Sequence, residues 1–304
     1  VQSAAIRIGT RGSPLALTQA EMVRALIEES GGEGEVVPIR TTGDRITDRP
    51  LAEAGGKGLF TKEIDEALLA GRIDIAVHSA KDLPTRLPDG IVIAACLPRA
   101  DVRDAFISPH ADRLTGLPDG AKLGTASLRR QALALRLRPD LTIVSLRGNV
   151  ETRLKRIAEG VADATLLAAA GLSRLGLLER ADDMMDVDRW LPAAGQGVIA
   201  VTAREEDGEM RGQLALANHH ETFLALAAER AFLDVLDGSC RTPIGAYAEL
   251  DHGRLRFRGI IVKPDGSAAH EVERRGSPDD AETIGADAGA ELKRVGGPGF
   301  FAGH

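Results

Sequence analysis

The sequence predicts two α/β domains joined by crossover strands and followed by a smaller α+β domain. Three observations predict it. Short β-branched runs alternate with amphipathic stretches over the first two-thirds of the chain, the pattern of stacked α/β layers. Two proline-containing stretches, Cys96-Leu97-Pro98-Arg99-Ala100 and Trp190-Leu191-Pro192-Ala193-Ala194-Gly195, read as crossovers, and a return strand follows the second. Beyond residue 221 a helical stretch leads into three alternating runs and a last helix, as expected of a separate unit. A chain of 304 residues can supply each of two or three domains with a core. The expected boundaries are 1–97 with 197–217 for the first domain, 101–192 for the second and 221–304 for the third.

Each element has a local reason. Ile6-Arg7-Ile8 reads as a strand, and the helix after it at 13–29 has Ser13 as N-cap and Pro14 in the first helical position, where a missing N–H does no harm. Strands at 36–41 and 73–78 flank a helix at 59–70. The apolar run Ile91-Val92-Ile93-Ala94-Ala95 reads as a buried strand and carries Cys96 into the core. The second domain repeats the alternation, with strands at 105–108, 122–124, 141–146 and 164–168 and helices at 127–137, 150–159 and 170–175. A return strand is expected at 197–202. His219-His220 should open the long helix, with Asn218 as its cap. Strands at 244–250, 254–262 and 269–274 and a helix at 278–293 complete the chain.

Composition excludes several function classes. Hydrophobic residues at 43% and charged residues at 27% describe an ordinary soluble protein, and no run approaches the ~18 apolar residues of a membrane helix. The first nine residues have no charged-then-apolar signal pattern. Two cysteines are too few for a disulfide framework, so a reducing cytoplasm is the expected location. The net charge is −7, yet residues 121–174 carry ten Lys/Arg against four Asp/Glu. Such asymmetry suggests an anionic ligand held in one place. At 3% aromatic the chain lacks stacking platforms for single strands, and its acidic remainder repels a long phosphate backbone. A small, multiply charged anion is expected rather than nucleic acid.

The segments able to carry chemistry lie where strands give way to helices. Lys122-Leu123-Gly124-Thr125-Ala126-Ser127-Leu128-Arg129-Arg130 offers free backbone N–H groups, two hydroxyls and the positive end of a helix dipole. Ser145-Leu146-Arg147-Gly148-Asn149-Val150-Glu151-Thr152-Arg153 repeats the arrangement. Both should lie at strand C-terminal ends, where open α/β sheets bind ligands. The arginine fork suits carboxylates because it can donate two parallel hydrogen bonds. Arg136, Arg138 and Arg156 are expected on exposed helix faces. Val77-His78-Ser79-Ala80-Lys81-Asp82-Leu83-Pro84-Thr85 packs an imidazole, an ammonium and a carboxylate into one strand end. Asp82 there reads either as a turn residue before Pro84 or as a fixed charge that stabilises a cation or moves a proton. Gly55-Gly56-Lys57-Gly58-Leu59-Phe60 lacks the Ser/Thr and leading Gly of a phosphate loop, and reads as a Lys-tipped cover or a plain surface loop. Cys240, in Leu236-Asp237-Gly238-Ser239-Cys240-Arg241-Thr242-Pro243, sits on a polar loop beside an arginine that favours its thiolate; a structural cysteine is the competing reading. No His or Cys pair has metal-ligand spacing, since His219-His220-Glu221 lacks the second His of a zinc-protease helix. No Gly-x-Ser-x-Gly elbow occurs.

In order along the chain, TRGSPLALTQA, GGKGLFTKE, DIAVHSAKDLPT, GTASLRRQ, SLRGNVETRL, AAAGLSRLGL, LPAAGQG, NHHET and GSCRTPIGAYAEL closely resemble the porphobilinogen deaminase (hydroxymethylbilane synthase) family. The resemblance runs from Ile6 to beyond Arg275. It implies condensation of four porphobilinogen molecules head to tail with loss of ammonia, on a dipyrromethane cofactor joined by a thioether to Cys240. It implies Asp82 as the catalytic carboxylate, contacting pyrrole N–H groups and stabilising the azafulvenium-like cation. Lys81, Asp82, Thr125, Ser127, Arg129, Arg130, Arg147 and Gly148 are implied as cofactor-binding. Arg11, Ser13, Gln19, Arg147, Arg153 and Arg174 are implied as substrate-binding, and Lys57 and Phe60 as parts of an active-site loop. No metal, nucleic acid or membrane partner is implied, and a monomer is expected. Ser239 and Ser173 stand where many members carry Gly and Lys, and Gly12 varies. The competing reading is a non-catalytic anion-binding module, because crossover-linked α/β domains are also the plan of periplasmic binding proteins. It leaves Asp82 and the loop thiol unexplained. A DNA-binding regulator is disfavoured by the lack of a basic helix-turn-helix segment.

Overall fold

A computed structural model describes residues 5–45, 60–236 and 242–301. Lys57, Ser239 and Cys240 lie outside the described residues. The chain divides into two compact units, one of residues 1–99 with 198–223 and one of residues 100–197 with 224–304.

The first unit holds β1 (Ile6–Arg11), α1 (Pro14–Glu29), β2 (Gly34–Ile39), α2 (Thr42–Arg45), α3 (Lys62–Leu69), β3 (Ile75–Ser79) and β4 (Ile91–Cys96). The chain later returns to it with β10 (Ile199–Arg204) and α7 (Gly208–Ala217). The strands form one sheet in the order β2-β1-β3-β10-β4. β2, β1 and β3 run parallel, and β10 lies antiparallel between β3 and β4. Ile8, Ala20, Val23, Ile75, Val77 and Ile199 form the core beneath α1. Cys96 is fully buried, as its apolar run predicts.

The second unit contains two sheets. The first is assembled from β5 (Asp104–Ile107), β6 (Lys122–Gly124), β7 (Thr142–Val144), β8 (Ala164–Ala168) and β9 (Asp183–Met184) in the order β7-β6-β8-β5-β9. β7, β6 and β8 are parallel, and α4 (Leu128–Leu137), α5 (Val150–Ala158) and α6 (Ala169–Arg174) follow strands of this sheet in turn. The second is an antiparallel meander, β11 (Ile244–Asp251), β12 (Arg254–Val262) and β13 (Ala269–Gly276). It packs against α8 (His220–Val235) and α9 (Ala281–Gly296) through Phe232, Ala246, Phe257, Val272 and Leu292. Burying a large side chain such as Phe or Leu is worth roughly 1.5–3 kcal/mol. Ile260 and Val262 at the end of β12 share a core with Phe106, Leu123, Leu166 and Trp190, which makes one body of the two sheets. Among the described residues no helix is long and apolar enough to cross a membrane.

The predicted elements occur with ends shifted by a few residues; the short α2 and β9 are additional to them, and three further points differ. α7 was not expected: Gly208 and Gly212 weaken its pattern, and Leu216 is almost fully exposed. Asp207 caps it, accepting from the Met210 N–H at 3.1 Å. Asn218 does not cap α8, because its Oδ1 accepts from the Cys96 N–H at 2.8 Å. The cap is His219, whose Nδ1 accepts from the Thr222 N–H at 3.3 Å. Arg138 is not a freely exposed helix arginine; it pairs with Asp140 and donates to the carbonyls of Leu117 and Pro118.

Candidate active site

In the first unit a pocket opens where the parallel strands end. β1 delivers Arg11 and, just beyond it, Ser13; β3 delivers His78 and Ser79 and runs into a 3-10 turn, Ala80–Asp82. Ser13 caps α1 as predicted, accepting from the Ala16 N–H at 3.3 Å. The pocket is lined by Arg11, Ser13, Gln19, Phe60, Thr61, His78, Ser79 and Asp82, with Leu15, Ala16 and Val77. The Arg11 guanidinium lies 4.2 Å from the Phe60 ring centre, a cation–π contact that fixes the charge over the pocket. Gln19 is buried, and its amide exchanges hydrogen bonds with the Ser79 hydroxyl at 3.0 and 3.1 Å. The turn that holds Asp82 is anchored by the Ala80 N–H, which donates to the Val198 carbonyl at 2.9 Å. Asp82 is exposed, so its charge is available at the pocket rim.

His78 forms part of the pocket's buried floor, with Nε2 3.3 Å from the Thr202 hydroxyl. Burial, reinforced by the positive charge of Arg11, lowers its pKa from 6.5 to about 4. The unfolded chain therefore takes up this proton at higher pH than the folded protein. Stability from the neutral ring is fully present above pH ~6.5 and is lost as the pH falls toward 4, by on the order of 3 kcal/mol. Thermal melts of the wild type should fall more steeply between pH 6.5 and 4.5 than those of His78→Gln. Parallel slopes would mean that this ring does not link folding to pH.

In the second unit the implied residues gather at the C-terminal ends of β6, β7 and β8. Thr125 is buried just after β6, and its hydroxyl accepts from the Ser127 N–H at 3.1 Å. Ser127 caps α4, accepting from the Arg130 N–H at 3.4 Å. Both arginines of the first turn are buried. Arg129 donates to Asp104 Oδ2 at 2.9 Å and to the Leu191 carbonyl at 2.9 Å. Arg130 donates to Asp104 Oδ1 at 2.7 Å. Burial alone would raise the Asp104 pKa, but the two guanidiniums outweigh it and hold the carboxyl well below the usual carboxylate range. After β7, Gly148 adopts φ +111°, a left-handed conformation that favours glycine. A Cβ there would also lie 2.8 Å from Thr152 Cγ2. The Gly148 carbonyl accepts from Arg153 Nε at 2.8 Å, which ties that arginine to the Arg147-Gly148 turn. After β8, Arg174 ends α6 and donates to the Gly197 carbonyl at 2.7 Å. Burial pulls its pKa down to about 10, still far above neutrality.

The buried Nε atoms of Arg129, Arg130 and Arg174 have no hydrogen-bond partner. Leaving a buried donor unmade costs about 1–3 kcal/mol. Two guanidiniums against the one Asp104 carboxylate also leave a net positive charge. Hydroxyls, helix N–H groups and cationic donors with spare capacity fit a group bearing carboxylates. Among the described residues no cluster of three or more His, Cys, Asp or Glu could hold a metal ion.

The structure thus brings Arg11, Ser13, Gln19, Phe60 and Asp82 together in one unit and Thr125, Ser127, Arg129 and Arg130 at one strand edge of the other. Residue-by-residue reading missed Thr61, Ser79 and Asp104. Ser79 is revealed only by Gln19, 60 positions away, and Asp104 lies 25 and 26 positions from its arginines with no motif around it.

Comparison with known proteins gives matches to family models, to curated relatives and to solved structures. Residues 6–212 match the family model described as "Porphobilinogen deaminase, dipyromethane cofactor binding domain", and residues 223–294 match "Porphobilinogen deaminase, C-terminal domain". A porphobilinogen deaminase of Nitrobacter winogradskyi is 56% identical over 301 residues, covering 97% of this chain and 94% of the relative. A chloroplastic porphobilinogen deaminase of Oryza sativa subsp. japonica is 55% identical over 306 residues, covering 97% and 85%. Among solved structures, a nutrient binding protein from Burkholderia cenocepacia bound to methionine matches 70% of this chain and 91% of its own, with 16% identity and a TM-score of 0.46.

Proposed function

The chain belongs to the porphobilinogen deaminase family, and from that premise we infer how its residues divide the reaction. The enzyme is a transferase that condenses four porphobilinogen molecules head to tail into hydroxymethylbilane, releasing ammonia, on a dipyrromethane primer. The observations that support the division are an exposed carboxylate, Asp82, at a pocket rim beside Arg11 in one unit, and hydroxyls with buried arginines at a strand edge in the other.

Cys240 anchors the cofactor through a thioether. When bound, the cofactor supplies the pyrrole end to which the first substrate is joined. Lys81, Thr125, Ser127, Arg129, Arg130, Arg147 and Gly148 hold its acetate and propionate groups by charge-assisted and backbone hydrogen bonds. Arg11, Ser13, Arg147, Arg153 and Arg174 do the same for porphobilinogen, and Gln19 is a further substrate-binding position in the cleft. Asp82 accepts pyrrole N–H bonds, and its negative charge stabilises the substrate cation left as ammonia departs. Lys57 and Phe60 are assigned to the active-site loop. Each substrate brings two carboxylates, so elongation builds a polyanion, which accounts for the basic run from 121 to 174. The working division is three domains, 1–97 with 197–217, 101–192 and 221–304. We place the enzyme in the cytoplasm as a monomer acting on a small molecule, without nucleic acid or membrane.

Purified protein incubated with porphobilinogen should release one ammonia per substrate consumed and accumulate a linear tetrapyrrole. Substrate binding with no ammonia released would reduce the protein to an anion-binding module.

A further inference from the structure

We propose that Asp104 is a positioning residue for cofactor attachment: it fixes the Arg129 and Arg130 guanidiniums for a cofactor carboxylate and ties them to the 190–197 segment. This inference rests on the reading of that arginine pair as cofactor-binding.

Asp104 opens β5 and is fully buried. Its two oxygens collect four donors from two separate stretches of chain. Oδ2 accepts from Arg129 Nη2 at 2.9 Å and from the Trp190 indole at 2.8 Å. Oδ1 accepts from Arg130 Nη2 at 2.7 Å and from the Gln196 amide at 2.9 Å. Each oxygen thus joins one arginine of α4 to one residue of the 190–197 segment. Arg129 reaches the same segment directly through the Leu191 carbonyl. The far end of that segment is fixed as well: Gly197 has φ +86°, and a Cβ there would lie 2.5 Å from the Ala100 carbonyl oxygen.

The two arginines consequently have different duties. Arg129 is held at both terminal nitrogens and braces α4 against the 190–197 segment. Arg130 is held at Nη2 alone, and its buried Nε has no partner. Arg129 has the same buried, unpartnered Nε, so the difference lies at the terminal nitrogens: the Arg130 fork is clamped at Nη2 while its Nη1 makes no hydrogen bond among the described residues. Two like charges side by side in a buried place would separate without a counter-ion between them. Asp104 keeps them together, so a ligand carboxylate meets a preformed donor set rather than ordering two long side chains itself.

Asparagine at this position has one acceptor oxygen and places an NH2 against cationic donors. Asp104→Glu keeps the charge and both oxygens but moves them by one methylene. The readout is the rate at which apo-protein gains the covalent adduct on incubation with porphobilinogen, followed by intact mass, with thermal melts reporting the fold. Asp104→Asn is expected to load about tenfold more slowly or worse, the loss of one charge-assisted hydrogen bond, with Asp104→Glu intermediate. Arg130→Ala serves as the control on the underlying reading. Should Arg130→Ala load like the wild type, the arginine assignment fails and this inference falls with it. Should Arg130→Ala fail to load while folded Asp104→Asn loads normally, the positioning role alone is overturned. Gln196→Ala removes one donor from Oδ1 with no change of charge and decides the matter if Asp104→Asn does not fold. It should load about threefold more slowly, a loss at the weak end of a single hydrogen bond, and wild-type loading in a folded Gln196→Ala would contradict the proposal.

Discussion

Asp82→Asn is expected to leave a folded protein that still carries its covalent cofactor and turns over at least about 100-fold more slowly. The carboxylate stands exposed on a 3-10 turn at the end of β3, so the substitution disturbs no core. Asparagine retains an oxygen able to accept a pyrrole N–H but removes the fixed negative charge. What is lost is the interaction made when the substrate becomes cationic, and that loss appears in the rate rather than in binding. Single-turnover ammonia release by adduct-bearing protein checks it. Near-normal release would make Asp82 a turn residue before Pro84.

Cys240→Ser is expected to abolish turnover altogether while leaving the fold intact. A serine hydroxyl is a far weaker nucleophile than a thiolate, so no thioether forms and the growing chain has no anchor. Intact mass should show no adduct even after incubation with porphobilinogen, and melts should stay close to those of unloaded wild type. Full activity would remove the covalent primer from the account.

Much of the fold and of the candidate site is legible in the amino-acid sequence, for identifiable reasons. Ser13-Pro14 marks a helix start because the cap and the missing proline N–H act locally. The runs at Ile91 and Arg254 are strands because their patterns fit a layered sheet. Local signals also place Thr125, Ser127 and Gly148 at strand-to-helix turns. The features made by tertiary pairing carry no such signal. Asn218 looks like a cap, yet its side chain is drawn away by the Cys96 N–H, and His219 takes its place. Arg129 and Arg130 look equivalent in sequence, and tertiary contacts distinguish them: both donate to Asp104, but only Arg129 also reaches the Leu191 carbonyl. α7 carries so little amphipathic pattern that only its Asp207 cap announces it.

The reaction depends on the covalent primer, and the decisive measurement is the intact mass of the purified protein under denaturing conditions, with peptide mapping. A mass excess equal to a two-pyrrole adduct, confined to the Cys240 peptide, is expected. A bare sequence mass that stays unchanged after incubation with porphobilinogen would contradict it.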